Sequence, residues 1–328
     1  MSPPMDWLSR LLAMMTVTGE LEYRCTYGAP WRTVYEDILP GDMPYHVVLK
    51  GTAILEAPGG DAPQRLGPGD IVLLPHGSTH VLHDGSGAPP LPTVERAALS
   101  RVTLSENAGG GDRLDMLCGR FRLAAPHDRL MRDYLPQRLV VRAAPAGETP
   151  PQTTAAQLAG LLGLMRAESL GEQLGGHALL NALSAALFAL TLRLASEAQT
   201  PALGLLALAG QPRLAPALTA MFDDPAHPWT LPELAQRCHM SRATLARHFQ
   251  DKVGRSASDL LTDLRMSLAA NALKKPALST EAVAEIVGYQ SVAAFRRAFT
   301  QRTGMTPGEW RRHEGRDAAP HENSLQPI

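Results

Sequence analysis

Apolar positions along the chain change period twice, and the changes mark three zones. From about residue 20 to residue 123 they come in runs of strand length punctuated by Gly and Pro: His46-Val-Val-Leu49, Ala53-Ile-Leu55, Ile71-Val-Leu-Leu74, Met116-Leu-Cys118 and Phe121-Arg-Leu123. Short strands at regular spacing predict an antiparallel sandwich or barrel. The stretch from Asp84 to Arg113, with Gly-Ser-Gly, Pro-Pro and Gly-Gly-Gly, reads as a mobile loop or insertion carrying one short helix near Val94 to Leu99.

From Asp128 to about Ala198 the pattern turns helical. Leu179, Leu180, Leu183, Leu187, Leu190 and Leu194 recur at three- and four-residue intervals and form an apolar stripe that needs a partner surface. The chain's own sheet and a second copy of the chain both offer one, and the pattern does not choose between them. Ala198-Gln-Thr-Pro201, with Gly210-Gln-Pro212 shortly after, reads as a hinge.

The third zone repeats itself. Thr230-Leu-Pro-Glu233 is a capping box. The helix it opens turns Leu231, Leu234 and Ala235 inward and stops around Cys238-His-Met240, after which Ser241 caps a second helix with Leu245 and Phe249 on its buried face. Two short helices with a tight turn make a helix-turn-helix. About fifty residues later the plan recurs: Thr280 is the expected cap of a helix holding Val283, Ala284, Ile286 and Val287, Gly288 permits the turn, and Ser291 caps a helix with Phe295 and Phe299 inward.

Charge sharpens this division. The whole chain of 328 residues, long enough for two domains, carries a net charge of only −1. Residues 229–312, however, hold thirteen basic and seven acidic side chains, a local +6 that leaves −7 for the rest. A basic block on an acidic remainder is the footprint of a DNA-binding domain joined to a domain with another task. With 28 Gly and 27 Pro, turns are plentiful. The opening Met1-Ser-Pro-Pro-Met-Asp-Trp7 has no basic segment before its first apolar residues, which predicts a cytoplasmic protein. Ala178 to Leu194, the most apolar stretch, carries Asn181, Ser184 and Arg193 and is shorter than the ~20 residues a bilayer demands, so it predicts a packed helix and no membrane.

Tyr289 to Arg312, ending in Gly304-Met-Thr-Pro-Gly-Glu-Trp310-Arg-Arg, resembles the signature of AraC-type transcription regulators, and Met240-Ser-Arg-Ala-Thr-Leu-Ala-Arg-His-Phe249 resembles the first half of the same domain. The resemblance spans roughly residues 211–313. It implies two helix-turn-helix units bridged by a long helix, about Ala257 to Leu273, that place recognition helices in successive major grooves of promoter DNA. Helical geometry then selects the readers. Opposite Leu245 and Phe249 lie Arg242, Ala243, Ala246 and Arg247; opposite Phe295 and Phe299 lie Val292, Ala293, Arg296 and Arg297. Ser241, Ser291, Lys252 and Arg302 are expected to hold phosphates.

Gly69-Asp-Ile-Val-Leu-Leu-Pro75-His-Gly77-Ser-Thr-His80 is similar to the second cupin motif, which implies a small jelly-roll barrel acting as effector sensor. Metallocupins take further ligands from a first motif. Here Pro44-Tyr-His46-Val-Val48 supplies one histidine and sets Val48 where a second belongs. His46, His80 and His83 could still meet inside a barrel, but His46 and His80 are read as effector-pocket residues, with no metal and no cofactor expected.

Three cysteines are too few for a disulfide scaffold. Cys238 sits at the turn of the first helix-turn-helix, where a small apolar residue packs. Cys25 and Cys118 fall in the barrel zone, each with an arginine nearby that favours a thiolate. Their surroundings, and Met5-Asp-Trp-Leu-Ser-Arg-Leu-Leu12, resemble cupin-AraC regulators that respond to reactive chlorine species; the resemblance implies a thiol switch.

The expected fold is therefore α+β, with a cupin-like β-barrel sensor at 1–125, a helical linker and dimerisation segment at 126–210, an all-α double helix-turn-helix domain at 211–313 and a flexible tail at 314–328. The expected function is sequence-specific transcription regulation without enzymatic activity, with promoter DNA, RNA polymerase, a second copy of the chain and a small effector or oxidant as partners. The competing readings are a regulator driven by a small molecule rather than oxidation, and a cupin enzyme fused to a DNA-binding tail. A DNA-repair methyl acceptor needs a cysteine cluster near the N-terminus, where only Cys25 lies.

Overall fold

Strands and helices segregate as their periods predict. In this computed structural model the described residues are 5–36, 39, 41–56, 62–143, 150, 152–198 and 204–317. Part of the expected hinge, Gln199–Pro201, and the expected tail beyond residue 317 lie outside them. The chain divides into two compact units, one of Met15–Ala124 and Asp128–Gln211, the other of Met1–Met14, Ala125–His127 and Pro212–Ile328. Helix α1 (Trp7–Met14), at the front of the sensor zone in sequence, thus packs in the unit that holds the C-terminal helices.

The first unit is built on β1 (Val17–Gly28), β2 (Arg32–Tyr35), β3 (Asp42–Lys50), β4 (Ala53–Glu56), β5 (Gln64–Leu66), β6 (Asp70–Leu73), β7 (His80–His83), β8 (Thr93–Ala97), β9 (Thr103–Asn107), β10 (Arg113–Leu123) and β11 (Leu139–Arg142). Seven strands form one sheet in the order β11-β6-β3-β10-β1-β9-β8, and four form a second, β2-β7-β4-β5. Inward residues of both, including Val48, Leu55, Leu66, Val72, Leu82 and Met116, fill a common core, as alternation on facing sheets requires.

Three sequence expectations need correction here. The helix expected near Val94 is strand β8, paired antiparallel with β9 from Thr93↔Asn107 to Ala97↔Thr103; all five of its residues are exposed, so no buried face revealed its period. The two runs Met116–Cys118 and Phe121–Leu123 are one strand, β10. The helical zone is interrupted by β11, which adds to β6 and is pinned where Arg142 grips Asp70 at 2.6 and 2.7 Å.

Helices α2 (His127–Tyr134), α3 (Thr154–Ser169), α4 (Gly176–Glu197) and α5 (Leu205–Ala209) follow the barrel strands. Among the described residues, α4 alone is long and apolar enough to cross a membrane, and its leucine stripe splits in two. Leu180 and Leu187, with Phe188 and Leu192, are buried, whereas Leu179 is 47% exposed, because α4 packs on β1 and α3 along one side only. It approaches β1 closely at Gly19, where a Cβ would stand 2.6 Å from the Ser184 Cβ; the buried Tyr45 hydroxyl meets Ser184 Oγ at 3.1 Å.

In the second unit, α6 (Ala215–Asp223), α7 (Leu231–Arg237), α8 (Arg242–Val253), α9 (Ala257–Leu273), α10 (Thr280–Ile286), α11 (Val292–Thr303) and α12 (Pro307–Asp317) repeat one plan. Each copy is a seven-residue helix followed by a twelve-residue helix closed by a left-handed glycine, Gly254 or Gly304. The capping box at Thr230 is present. In the second copy the cap is Ser279, not Thr280, which is the first helical residue; Ser279 Oγ accepts from the Ala282 amide at 3.0 Å. Val283, Ala284 and Val287 are buried, whereas Ile286 is exposed. Helix α1 packs on α6 and α9 with Trp7 against Phe222 and Arg10 paired to Asp223 at 2.7 Å.

Candidate functional site

Two sites emerge, one on helix surfaces and one inside the barrel. On α8, burial of Leu245 and Phe249 leaves Ser241, Arg242, Ala243, Ala246 and Arg247 exposed on one face. On α11, burial of Phe295 and Phe299 does the same for Ser291, Ala293, Arg296 and Arg297. Val292 is half-buried and packs on the core of the second copy instead. Ser241 and Ser291 serve as N-caps, accepting from Thr244 and Ala294 amides. Arg296 reaches Glu281 at 3.4 Å on the surface. Arg302, expected at a phosphate, is engaged with Asp259 at 2.7 Å and Asp263 at 3.3 Å and so ties α11 to α9.

In the barrel, the two thiols come together. β1 and β10 pair with Cys25 opposite Met116 and Tyr23 opposite Cys118, so both cysteines point into the inter-sheet core as diagonal neighbours. The register slips between Leu21 and Tyr23, which makes Glu22 a bulge residue beside Cys118. There Arg120 binds Glu22 and Asp42, each at 2.7 Å. The Tyr35 hydroxyl, from β2 on the facing sheet, donates to Cys118 Sγ at 3.3 Å. Its ring stacks on His80 with centroids 4.7 Å apart and lies 4.6 Å from the His46 ring.

The electrostatics follow from this packing. The hydrogen bond from the Cys118 thiol pulls Cys25 below the usual thiol range, while burial pushes Cys118 well up, so Cys25 loses its proton first. Arg24 does not help it. Strand alternation turns Arg24 to the opposite face, where it grips Asp115 at 2.9 and 3.0 Å and donates to the Arg166 carbonyl and Ser169 Oγ, each at 3.1 Å. Burial lowers His46 well below the ordinary imidazole value, with His80 reinforcing it.

The histidine pair has defined tautomers. His80 Nδ1 donates to the Ser78 carbonyl at 2.8 Å, which makes its Nε2 the acceptor of the His46 Nε2–H at 2.7 Å. His46 Nδ1 is then a bare acceptor, buried without a hydrogen-bond partner. The pair does not suit the metal that cupins commonly carry. The two Nε2 atoms are committed to each other at a spacing too short for both to sit ~2.0–2.1 Å from one tetrahedral ion. His83 is drawn to Glu56 at 3.3 Å rather than to the pair, and no group of three metal-binding side chains occurs among the described residues.

Cys238 is buried at the end of α7, its Sγ 3.9 Å from the Leu214 carbonyl, as packing at that turn requires. Sequence reading missed Tyr35 and the Glu22 bulge. Tyr35 lies on a strand distant in sequence from both cysteines, and only sheet-on-sheet packing brings it near. The vestibule they share measures about 80 Å³ and is lined also by His46, Cys118, Gly119, Arg120 and Glu36.

Comparison with known proteins places both halves. Residues 6–197 match the family described as Cupin, and residues 234–313 match the family described as Helix-turn-helix domain. The chain is 30% identical to the RCS-specific HTH-type transcriptional activator RclR of Escherichia coli (strain K12) over 94% of its own length and 97% of that protein's. It is 31% identical to a putative AraC-like transcription regulator of Streptomyces antibioticus over 94% and 99% of the two lengths. It is also 29% identical to the HTH-type transcriptional regulator MtrA of Neisseria gonorrhoeae over 95% and 99%.

Proposed function

The chain belongs to the AraC-type DNA-binding transcription regulators that carry an N-terminal cupin domain, and on that premise we propose that oxidation of Cys25 and Cys118 is the signal it converts into a change at promoter DNA. The observation that carries this reading is the thiol pair itself: two free, buried cysteines set as diagonal neighbours in the barrel core, one of which, Cys118, lines a vestibule of about 80 Å³. Effector pockets for drug-sized molecules run to ~300–1,000 Å³, so this space suits a reactive species of a few atoms. The relative named as RCS-specific points the same way. Relatives named as regulators point to a regulator rather than a cupin enzyme.

The route outward runs through the first unit. Diagonal cross-strand Cα atoms stand ~7–8 Å apart, slightly beyond the reach of a relaxed disulfide, so joining the sulfurs shifts β1 against β10. Arg24, next to Cys25, transmits that shift to Asp115 and to the C-terminal turn of α3, and Gly19 and Tyr45 transmit it to Ser184 on α4. These helices expose Leu164 and Leu179, with Leu170 exposed just past the end of α3, and are the proposed contact with a second copy. At the DNA, Arg242, Ala243, Ala246 and Arg247 read one major groove and Ala293, Arg296 and Arg297 the next, with Val292 at the margin and Ser241 and Ser291 near phosphates. RNA polymerase is the onward partner, and the cytoplasm the compartment.

A small-molecule effector is the second reading, favoured by the unpartnered His46 Nδ1 beside the vestibule. Footprinting of the purified protein on DNA upstream of its own and neighbouring genes, reduced and after stoichiometric hypochlorite, separates the two. Redox control predicts an altered footprint that Cys25→Ser and Cys118→Ser abolish. An unaltered footprint, or one that survives both substitutions while His46→Gln removes a ligand response, overturns it.

A further inference from the structure

Resting on the small-molecule reading above, we propose that the vestibule at the β1 bulge is a binding site for a small organic ammonium ion that carries N–H groups, with His46 Nδ1 accepting one of them. Two independent observations meet there. The first is His46, which is only 1% exposed and lines the cavity, whereas His80 does not; the nitrogen committed to His80 therefore faces away from the space and the bare Nδ1 is left to it. A buried acceptor without a partner is destabilising, and a ligand N–H satisfies it.

The second is charge. Glu22, Glu36 and Asp42 line the space against the single guanidinium of Arg120, which binds Glu22 and Asp42 at 2.7 Å each. Arg122 also reaches Asp42, at 3.3 Å, yet Glu36 has no ion-pair partner among the described residues and the balance stays negative. The site thus favours a cation and disfavours an anion. A bare metal ion is the poorer occupant, because no group of three metal-binding side chains occurs among the described residues and the rings of Tyr23 and Tyr35 wall the space.

Size and position complete the assignment. About 80 Å³ holds several water-sized groups, enough for an ion of a few non-hydrogen atoms and too little for a polyamine. The lining comes from both sheets. Glu22 is the bulge residue of β1 and Asp42 and His46 belong to β3 in the same sheet, while Tyr35 ends β2 in the facing sheet with Glu36 next to it. An ammonium ion held between Glu36 and His46 therefore links the two sheets, and its binding is coupled to their spacing.

The test uses the full reduced chain, ethylammonium as the probe, and tetramethylammonium, acetamide and acetate as controls. Calorimetry is expected to show a single saturable ethylammonium site with a Kd of about 1–10 mM, near the limit for a ligand of so few atoms. Tetramethylammonium has the charge without N–H and acetamide has N–H without the charge; each is expected to bind at least about tenfold more weakly, and acetate more weakly still. With isotope-labelled histidine, the His46 Nδ1 resonance is expected to move upfield with ethylammonium and with none of the controls. Glu36→Gln, at an exposed position, is expected to weaken ethylammonium about threefold without changing Tm. No saturable ethylammonium binding, binding that leaves His46 Nδ1 unmoved, or equal binding of acetamide overturns the proposal. Saturable binding with an unchanged DNA footprint upholds the site and removes the small-molecule effector reading instead; a footprint that answers to another small molecule while ethylammonium fails to bind overturns the site and leaves that reading standing.

Discussion

The two helix-turn-helix copies reach the same geometry by different local means. The first opens with a complete capping box at Thr230 and Glu233, turns through His239 in a left-handed backbone (φ +50°), and packs Leu245 and Phe249. The second opens with a simple serine cap, turns through Gly288, and packs a ladder of Phe295, Phe299 and Trp310 with ring centroids 5.7 and 5.8 Å apart. One copy places more of its stabilisation in its helix start, the other in its aromatic core and in the Arg302 pairs to Asp259 and Asp263. The difference teaches that spacing of buried positions defines the motif, while caps and turn residues are interchangeable solutions to the same backbone demands.

The strongest way to break that comparison is in the aromatic ladder. Phe299→Ala is expected to cost about 3–5 kcal/mol, read as a lowered urea midpoint for the second copy through Trp310 fluorescence. A loss below about 1 kcal/mol would contradict the weight given to the ladder. The turn residues come next, with opposite signs. Gly288 has φ +81° and the Ala226 carbonyl 2.1 Å from where a Cβ would sit, so Gly288→Ala is expected to destabilise by about 1–3 kcal/mol from strain alone. His239→Gly relieves strain and is expected to gain up to about 1 kcal/mol, both measured by thermal unfolding.

The reading heads sharpen the comparison at the level of function. Arg247→Ala and Arg297→Ala are each expected to weaken specific DNA binding by about 1–3 kcal/mol in fluorescence anisotropy, without lowering Tm. If only one copy shows the loss, the copies are not equivalent readers. The smallest test separates neighbours: Ser279→Ala costs about 1 kcal/mol of helix stability and Thr280→Ala only a few tenths, because only Ser279 accepts from the helix amides. Equal effects would return the cap to Thr280.

How much was legible in advance differs between the halves for the same reason. Helix α9 appears over Ala257–Leu273 as expected, and the burial of Leu245, Phe249, Phe295 and Phe299 follows directly from their spacing. Helical contacts are local, so one face can be read along the chain. The barrel is different. Strand β8 has no buried face, and β11 returns to the sheet across a helix; neither leaves a periodic mark. Arg24 beside Cys25 looked like a partner for the thiol, yet alternation turned it to Asp115.

Sequence alone determined the elements whose causes are near in the chain: the duplicated helices, their exposed arginines, and the presence of two cysteines and two histidines in a β-rich zone. Tertiary structure decided which of these meet. It set Cys25 against Cys118 through the register of β1 and β10, placed Tyr35 over Cys118 from the facing sheet, and closed His46 on His80 instead of leaving both open to a metal. Those encounters join residues tens of positions apart, and they depend on register and sheet packing, which no local pattern encodes.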